Sequence, residues 1–338
     1  MRPAAYFPTF EDLTRTGAAQ ESFHRAALRT TQAHFGRKVF VRAVVEVSNF
    51  CRQNCTYCGM RRDNRSLERF RANHEALAEL IIEHRPASVT DINIQAGEDP
   101  KAVREVVLPL IHAIRRETNL GVSVCLGSLT REAYDELQAA GASIYILKFE
   151  TGDRDSYERF ESPGKFEDRL ANIRYLAAQG WNVSSGFIAG LPDQRPEQFL
   201  ENFRVANDLP LDGCSVSPFI PGDETPLANN ASADIDLTLN SMAALRLMRP
   251  EWVIPAVSAL NLAEPGSGYR RGLRTGANLV TINMTPEAVR DDYLLYKRER
   301  FIMTEEVILR SIEGEGLEPS ETGLAQYYAA RRSLKAVA

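Results

Sequence analysis

Short apolar runs alternate with amphipathic stretches along most of the chain. The short runs are rich in Val and Ile, and they are bounded by Gly, Pro, Asn or Ser. Runs of this kind, separated by stretches with helical periodicity, are typical of the strands of a parallel sheet. The predicted strands cover 39–49, 88–95, 121–127, 143–150, 182–190, 213–219, 252–259 and 278–284.

Apolar residues recur at helical spacing before and between these runs. The predicted helices cover 9–35, 73–85, 101–117, 130–140, 166–179, 195–207, 236–249, 268–275 and 303–316. Eight strands alternating with helices favour a (β/α)8 barrel of the TIM type, although the pattern alone is also compatible with a doubly wound open sheet.

The domain organisation follows from this alternation. We predict an α/β protein with an N-terminal helical extension at 1–36 and a complete (β/α)8 barrel at 37–318. The polar C-terminal tail at 319–338 is expected to be partly disordered.

Composition and charge narrow the class of protein. The 338 residues are 44% hydrophobic and 25% charged, which is typical of a globular protein. The net charge of −5 argues against nucleic acid as the main partner. An arginine-rich run from Arg61 to Arg71 is interleaved with Asp63 and Glu68. We interpret it as a solvated or ion-paired surface.

The cysteines indicate the compartment. The N-terminus has no secretory signal, and the chain has no apolar run of about 18 residues that would predict a membrane span. Five cysteines are an odd number, so disulfides are not expected. The sequence therefore predicts a cytoplasmic protein that uses thiols in metal or redox chemistry.

Three of the five cysteines lie within "VEVSNFCRQNCTYCGMRRDNRSLERFR", residues 45–71, as Cys51, Cys55 and Cys58. They follow the first predicted strand, and catalytic residues of parallel barrels lie at such strand ends. A C-x3-C-x2-C loop is suited to an iron–sulfur cluster, since thiolates are the usual ligands. Three thiolates leave one iron of a [4Fe-4S] cluster open. The alternative is a zinc site with a remote fourth ligand.

This motif, with the aromatic Tyr57 before its last cysteine, resembles the signature of the radical S-adenosylmethionine (SAM) superfamily. The resemblance implies a [4Fe-4S] cluster on Cys51, Cys55 and Cys58, with SAM chelated at the open iron. It also implies reductive cleavage of SAM to a 5′-deoxyadenosyl radical, with the electron coming from a donor such as flavodoxin or ferredoxin. The partner acted upon would be a small molecule, and neither nucleic acid nor a membrane is expected.

The resemblance extends to segments that hold SAM in relatives. "INIQAGEDP" (92–100) resembles the Gly-Gly-Glu element and implies contacts from Gln95, Gly97 and Glu98. A glycine after a strand allows close backbone approach, and an acid beside it can pair with an ammonium group. "LKFETGDRDSYERFESPGKFEDRL" (147–170) and "GFIAGLP" (186–192) likewise imply contacts from Glu150, Arg169 and Gly190, besides Tyr57 in the cysteine loop.

Inward-facing residues at the strand ends are the substrate candidates. They are Ser123, Lys148, Ser258, Thr281 and Asn283, with Ser217 as a further polar position and Cys125 as either a lining residue or a small core residue. Lys148 is the strongest of these, because a buried ammonium without a partner is unfavourable. Its partner is a substrate carboxylate or a protein acid such as Glu98 or Glu150.

Within the superfamily the chain resembles the biotin synthase-like subgroup. It is most similar to the [FeFe]-hydrogenase maturase family HydE and to the methylornithine synthase family PylB. The similarity to HydE implies a maturase that acts on an amino-acid-like or cysteine-ligated iron substrate. The alternative is a PylB-like amino-acid mutase or lyase, or another radical SAM enzyme of a natural-product pathway. A non-catalytic iron–sulfur or zinc protein is the alternative of another class. Lys148 stands where HydE has arginine, Phe149 where it has histidine and Thr281 where it tends to have methionine, so the substrate side departs from HydE.

Overall fold

A computed structural model gives the structure, which describes residues 6–298 and 302–337. The strands are β1 Lys38–Ser48, β2 Asp91–Ala96, β3 Gly121–Cys125, β4 Ile144–Ile146, β5 Asn182–Ala189, β6 Gly213–Pro218, β7 Leu279–Asn283 and β8 Glu318–Pro319. All pairings between these strands are parallel, in the order β6-β5-β4-β3-β2-β1-β7, and β8 pairs with the start of β1. Seven of the eight predicted strands are therefore confirmed.

Helices cover the outside of this sheet. They are α1 Phe10–Leu13, α2 Gly17–Phe35, α3 His74–His84, α4 Pro100–Ala102, α5 Leu108–Glu117, α6 Arg131–Ala140, α7 Arg154–Arg159, α8 Phe166–Ala178, α9 Pro196–Asp208, α10 Ile235–Met248, α11 Ala259–Ala263, α12 Gly268–Arg274, α13 Glu287–Arg290, α14 Glu305–Gly314 and α15 Leu324–Val337. A π-helical turn, Val103–Val107, joins α4 to α5 just before Pro109, which has no N–H for the helical ladder. None of the described helices has the length and apolar character needed to cross a membrane.

The strand predicted at 252–259 is wrong, because the structure has no strand there. In this segment Val253 makes one isolated parallel bridge to Gly213 of β6, and Pro255 makes one to Leu279 of β7. A proline cannot donate to a ladder of backbone hydrogen bonds, so the run does not extend into a strand. The structure is thus an α/β fold with a curved parallel sheet, and among the described residues the named strands do not form the complete (β/α)8 barrel that was predicted.

Arg246 of α10 holds this segment in place. The side chain is fully buried, and its guanidinium donates to the carbonyl oxygens of Pro250 at 2.8 Å, Trp252 at 2.6 Å and Gly276 at 2.9 Å. It also donates to Oδ1 of Asn278 at 2.9 Å. One side chain therefore ties the segment before Val253 to the approach of β7.

We expect Arg246→Met to lower the free energy of unfolding by about 3–5 kcal/mol, because it leaves several buried carbonyl groups without a donor. Urea denaturation followed by circular dichroism would measure the loss. Arg310→Met is the matched control, since Arg310 is 67% exposed and pairs with Glu306 on the same helix. A change within about 0.5 kcal/mol is expected there, and equal effects of the two substitutions would contradict the role of Arg246.

The C-terminal tail also differs from the expectation of partial disorder, because it forms helix α15. The Asp91 carboxylate of β2 accepts the N–H groups of Leu324 at 2.6 Å and Ala325 at 2.9 Å, which anchors the start of the helix. Leu324 and Tyr328 are both 2% exposed, and the Tyr328 hydroxyl donates to the carbonyl of Asp212. The helix therefore covers the end of the sheet at which the strands begin.

Candidate active site

The loop that carries the three cysteines is held by its own arginines. Arg69 donates to the backbone carbonyls of Asn49 at 2.5 Å, Met60 at 2.9 Å, Arg61 at 2.7 Å and Asn64 at 3.2 Å. Arginine is suited to this role because its fork presents several donors in fixed directions. The arginine-rich run thus includes structural members that fix the shape of the loop.

The second anchor of the loop joins it to the end of β2. Arg71 forms a two-point ion pair with Asp99 at 2.7 and 3.1 Å, and Asp99 also accepts the Ser48 hydroxyl at 2.7 Å. The Arg71 guanidinium lies 3.9 Å from the centroid of the Phe50 ring. The loops after β1 and β2 are therefore one connected unit.

The three thiols lie in an environment that favours the neutral form. Burial raises the pKa of Cys51, and it raises the pKa of Cys55 well above the usual range. Burial and the neighbouring Cys51 raise the pKa of Cys58 to about 12. Thiolates are the form that binds metal, so these thiols would lose their protons when iron binds and stabilises the negative charge.

The three cysteines line a single cavity of about 340 Å³. Among the described residues, no three His, Cys, Asp or Glu side chains are close enough together to hold one metal ion. A zinc site gathers its ligands at roughly 2.0–2.3 Å from one ion, whereas a cluster distributes them over several irons. The thiols around this cavity therefore fit a cluster better than they fit zinc.

Gly97 keeps the backbone after β2 close to the cysteine loop. A Cβ atom at Gly97 would lie 2.2 Å from the Phe50 carbonyl oxygen and 3.0 Å from Cβ of Cys51. The next backbone N–H, that of Glu98, donates to Sγ of Cys51 at 3.4 Å. Only glycine permits this approach, so the structure gives a steric reason for the residue that the motif singled out.

Glu98 contributes a buried carboxylate beside the cysteines. Its side chain is 3% exposed, and its Oε1 accepts Nε of Arg52 at 2.9 Å and Nη2 of Arg52 at 2.6 Å. Tyr57, another cavity-lining residue, extends from the cysteine loop and donates to Oγ of Ser162 at 3.4 Å.

Lys148 and Glu150 form an ion pair in the same cavity. Nζ of Lys148 lies 3.3 Å from Oε2 of Glu150, so the protein acid that was one of two expected partners is present. Burial is the largest influence on Lys148 and acts to lower its pKa, but Glu150 together with Tyr296 and Cys125 outweighs burial, so the pKa is raised and the ammonium stays charged. Arg169 lies close by and donates to the Lys148 carbonyl at 2.8 Å.

The backbone at Glu150 is strained. Its φ of +63° is in the left-handed region, which side chains other than glycine rarely adopt. The neighbouring strand holds it there, because Glu150 donates to the Gly186 carbonyl and accepts the N–H of Ile188. Such conformations occur most often at functional sites.

Most of the residues singled out from the sequence line the cavity. They are Cys51, Cys55, Tyr57, Cys58, Gln95, Gly97, Glu98, Lys148, Glu150, Arg169, Ser258, Thr281 and Asn283, together with Cys125 and Ser217. Ser123 and Gly190 are not among the lining residues. Ser123 is fully buried and donates to Oδ1 of Asn93 at 3.0 Å. Gly190 has a φ of +76°, and a Cβ atom there would lie 2.6 Å from Cβ of Ala233.

The structure adds residues that the sequence reasoning missed. Arg42 and Glu46 of β1 line the cavity, and Nε of Arg42 donates to Oγ1 of Thr281 at 3.0 Å. Burial lowers the pKa of Arg42. A signal was available, because the two charges lie four residues apart in an apolar strand and therefore face the same side.

A segment of residues 291–298, here called the strap, passes over the cysteine loop. The N–H of Gly59 donates to the Leu295 carbonyl at 3.3 Å, and Asn49 donates to the Asp292 carbonyl at 2.8 Å. Tyr293 and Tyr296 of the strap line the cavity. The same cavity extends to Leu324 and Tyr328 of α15, so the strap and this helix contribute to opposite ends of one chamber.

The family model of the radical SAM superfamily matches residues 45–206, the part of the chain that carries the cysteines, Glu98, Glu150 and Arg169. A curated relative is 34% identical over 276 residues, which are 82% of this chain and 79% of the relative. The chain therefore belongs to the radical SAM superfamily.

That relative is the [FeFe] hydrogenase maturase subunit HydE of Thermotoga maritima. The 3-methylornithine synthase of Methanosarcina acetivorans is 25% identical over 304 residues, 89% of this chain and 85% of the relative. The chain is also similar in fold to the crystal structure of methylornithine synthase (PylB), with a TM-score of 0.82 and 23% sequence identity. The match covers 96% of this chain and 97% of that one.

Membership of this superfamily defines the chemistry of the site. The protein is an enzyme that uses a [4Fe-4S] cluster and SAM and acts on a small molecule. The chain's own contribution is binding and orientation, whereas the radical chemistry is that of the cofactors.

Proposed function

We propose that this enzyme acts on a small carboxylate-bearing substrate that Lys148 binds, and that its reaction is a HydE-like maturation step. The observation that carries the proposal is the charged ammonium of Lys148, placed in the same cavity as the three cysteines. An ammonium there can bind a substrate carboxylate by a charge-assisted hydrogen bond. The substrate carboxylate would then either replace Glu150 as the partner of Lys148 or bind Lys148 together with Glu150.

The residues around the cavity divide into two groups in this proposal. Cys51, Cys55 and Cys58 would hold the cluster, and SAM bound beside it would supply a 5′-deoxyadenosyl radical on one-electron reduction. Glu98 and the Gly97 backbone would hold the amino group of SAM, Arg169 its carboxylate, and the Gly190 segment its adenine. Ser258, Thr281 and Asn283 would orient the substrate from the opposite wall, and Ser123 would hold Asn93 of β2 in place through its hydrogen bond.

The choice of a HydE-like reaction rests on the 34% identity to the HydE relative over most of both chains. The electron donor would be a small redox protein such as flavodoxin or ferredoxin, and the compartment the cytoplasm, in keeping with five cysteines that form no disulfide. A PylB-like mutase is the second candidate, since the 3-methylornithine synthase relative covers 89% of this chain.

We expect the reconstituted, dithionite-reduced protein to convert SAM to 5′-deoxyadenosine under anaerobic conditions, and the correct substrate to stimulate this conversion. Chromatography of the nucleoside product would measure it. Restored hydrogenase activity in a cell-free maturation system lacking HydE would support the first candidate. Conversion of lysine to 3-methylornithine would support the second and contradict the first, and a native protein holding zinc and no iron would contradict both.

A further inference from the structure

Glu98 lies in a narrow slot between the cysteine loop and the end of β3. The side chain is 3% exposed, and a Cβ atom at Gly127 would lie 2.8 Å from Glu98 Oε2. On the other side, both hydrogen bonds from Arg52 reach the opposite oxygen, Oε1. The two oxygens therefore have different surroundings, and Oε2 is the one that Arg52 does not occupy.

Arg52 is held in place independently of this ion pair. Its Nη2 also donates to the Ser128 carbonyl at 2.8 Å, and its backbone N–H donates to the Glu98 carbonyl at 3.2 Å. It follows Cys51 directly, and Cys51 accepts the backbone N–H of Glu98. The guanidinium is thus fixed between the loops that follow β1, β2 and β3.

We propose that Arg52 is a positioning residue for SAM: it fixes Glu98 through Oε1 and so presents Oε2 to the amino group of SAM. This inference rests on the proposed role of Glu98. Among the described residues, Arg52 is the only side chain that hydrogen-bonds the Glu98 carboxylate. A buried carboxylate without a counter-charge is unfavourable, so without Arg52 the acid would turn away from its slot.

The alternative geometry makes the opposite prediction. If Arg52 occupied the position that SAM needs, its removal would free Glu98 and tighten binding. The placement of both hydrogen bonds on one oxygen argues for positioning rather than competition. The half-exposed guanidinium, at 53%, also lies at the outer side of the buried acid.

The test is the affinity for SAM, measured by isothermal titration calorimetry on anaerobic protein with matched iron content. We expect Arg52→Gln to weaken SAM binding by roughly 10- to 100-fold, because the buried Glu98 carboxylate loses its counter-charge, an effect that the exposure of Arg52 reduces. Arg52→Lys should recover part of the loss because it restores the charge. Arg62→Gln is the matched control, because Arg62 is 60% exposed and pairs with the adjacent Asp63. This variant should bind SAM with the affinity of the wild type.

A double-mutant cycle with Glu98→Gln separates positioning from general damage. If Arg52 acts through Glu98, the double variant should lose no more affinity than Glu98→Gln alone. 5′-Methylthioadenosine, which lacks the amino group, should bind wild type and Arg52→Gln equally. Unchanged or tighter SAM binding by Arg52→Gln, additive losses in the cycle, or an equal loss for 5′-methylthioadenosine would overturn the inference. A wild-type protein that binds no SAM would overturn the proposed function as well.

Discussion

Cys55→Ala is expected to bring the iron content of the reconstituted protein close to background and to lower 5′-deoxyadenosine formation by roughly 100-fold or more. Mutation of a residue that only hydrogen-bonds a metal ligand lowers metal affinity or activity by about 10–100-fold, so loss of a ligand itself should lower them at least as much. Cys55 is buried in the loop held by Arg69, and no other cysteine lies in that loop beyond Cys51 and Cys58. Iron analysis and nucleoside chromatography would measure the two effects.

Cys214→Ala is the matched control for this substitution. Cys214 is fully buried on β6 and does not line the cavity. Among the described residues, its thiol makes one long hydrogen bond, to the Ser215 carbonyl at 3.9 Å. We expect wild-type iron content and activity in this variant. If Cys55→Ala kept a full cluster and cleaved SAM, the assignment of the three thiols as ligands would be wrong.

The second large effect is expected at Lys148. Lys148→Gln should weaken the stimulation by substrate, raising the substrate KM by about 30-fold or more, because one partner of a charge-assisted contact in the cavity is lost. SAM affinity should change less, since the SAM contacts are assigned to other residues. Lys148→Arg should retain part of the stimulation, because the charge is kept while the geometry changes from a point to a planar fork. The measurement is substrate-dependent 5′-deoxyadenosine formation.

Lys101→Gln provides the comparison for Lys148, as Lys101 is 60% exposed and pairs with Glu105 one turn away. It should behave as the wild type. Equal substrate stimulation in Lys148→Gln and wild type would contradict the substrate role of Lys148 and leave its ion pair with Glu150 as its only function.

The strands were predictable because a parallel sheet covered by helices must be apolar on both faces. Its strands therefore have short, continuous apolar sequences. The same rule fails at 252–259. That run is as apolar as the others, but Pro255 interrupts the ladder, and Arg246 donates to the carbonyls of Pro250 and Trp252. The hydrogen bonds of Arg246 could not be predicted from the local sequence pattern, because they join α10 to segments that are separate from it.

The site was predictable where the chain concentrates unusual residues. The three cysteines and Gly97 follow strands directly, and parallel strands bring their ends together at one edge. The pairing of Arg52 with Glu98 was not predicted, because it joins two loops and Arg52 looks like one more surface arginine. Helix α15 was missed because, among its residues whose side chains are described, only Leu324 and Tyr328 are buried, and two apolar positions one turn apart are too few to predict a helix.

The chamber is completed by parts of the chain that are made long after the cysteine loop. The strap and α15 contribute to its two ends, yet both lie far beyond Cys51, Cys55 and Cys58 in the sequence. Since chains emerge from the ribosome N-terminus first, the thiols are synthesised long before the enclosure that separates them from solvent. The order of synthesis therefore leaves an interval in which iron and sulfide reach the thiols freely and oxidants do too. We expect the timing of cluster delivery relative to chain completion to influence the yield of active enzyme in cells.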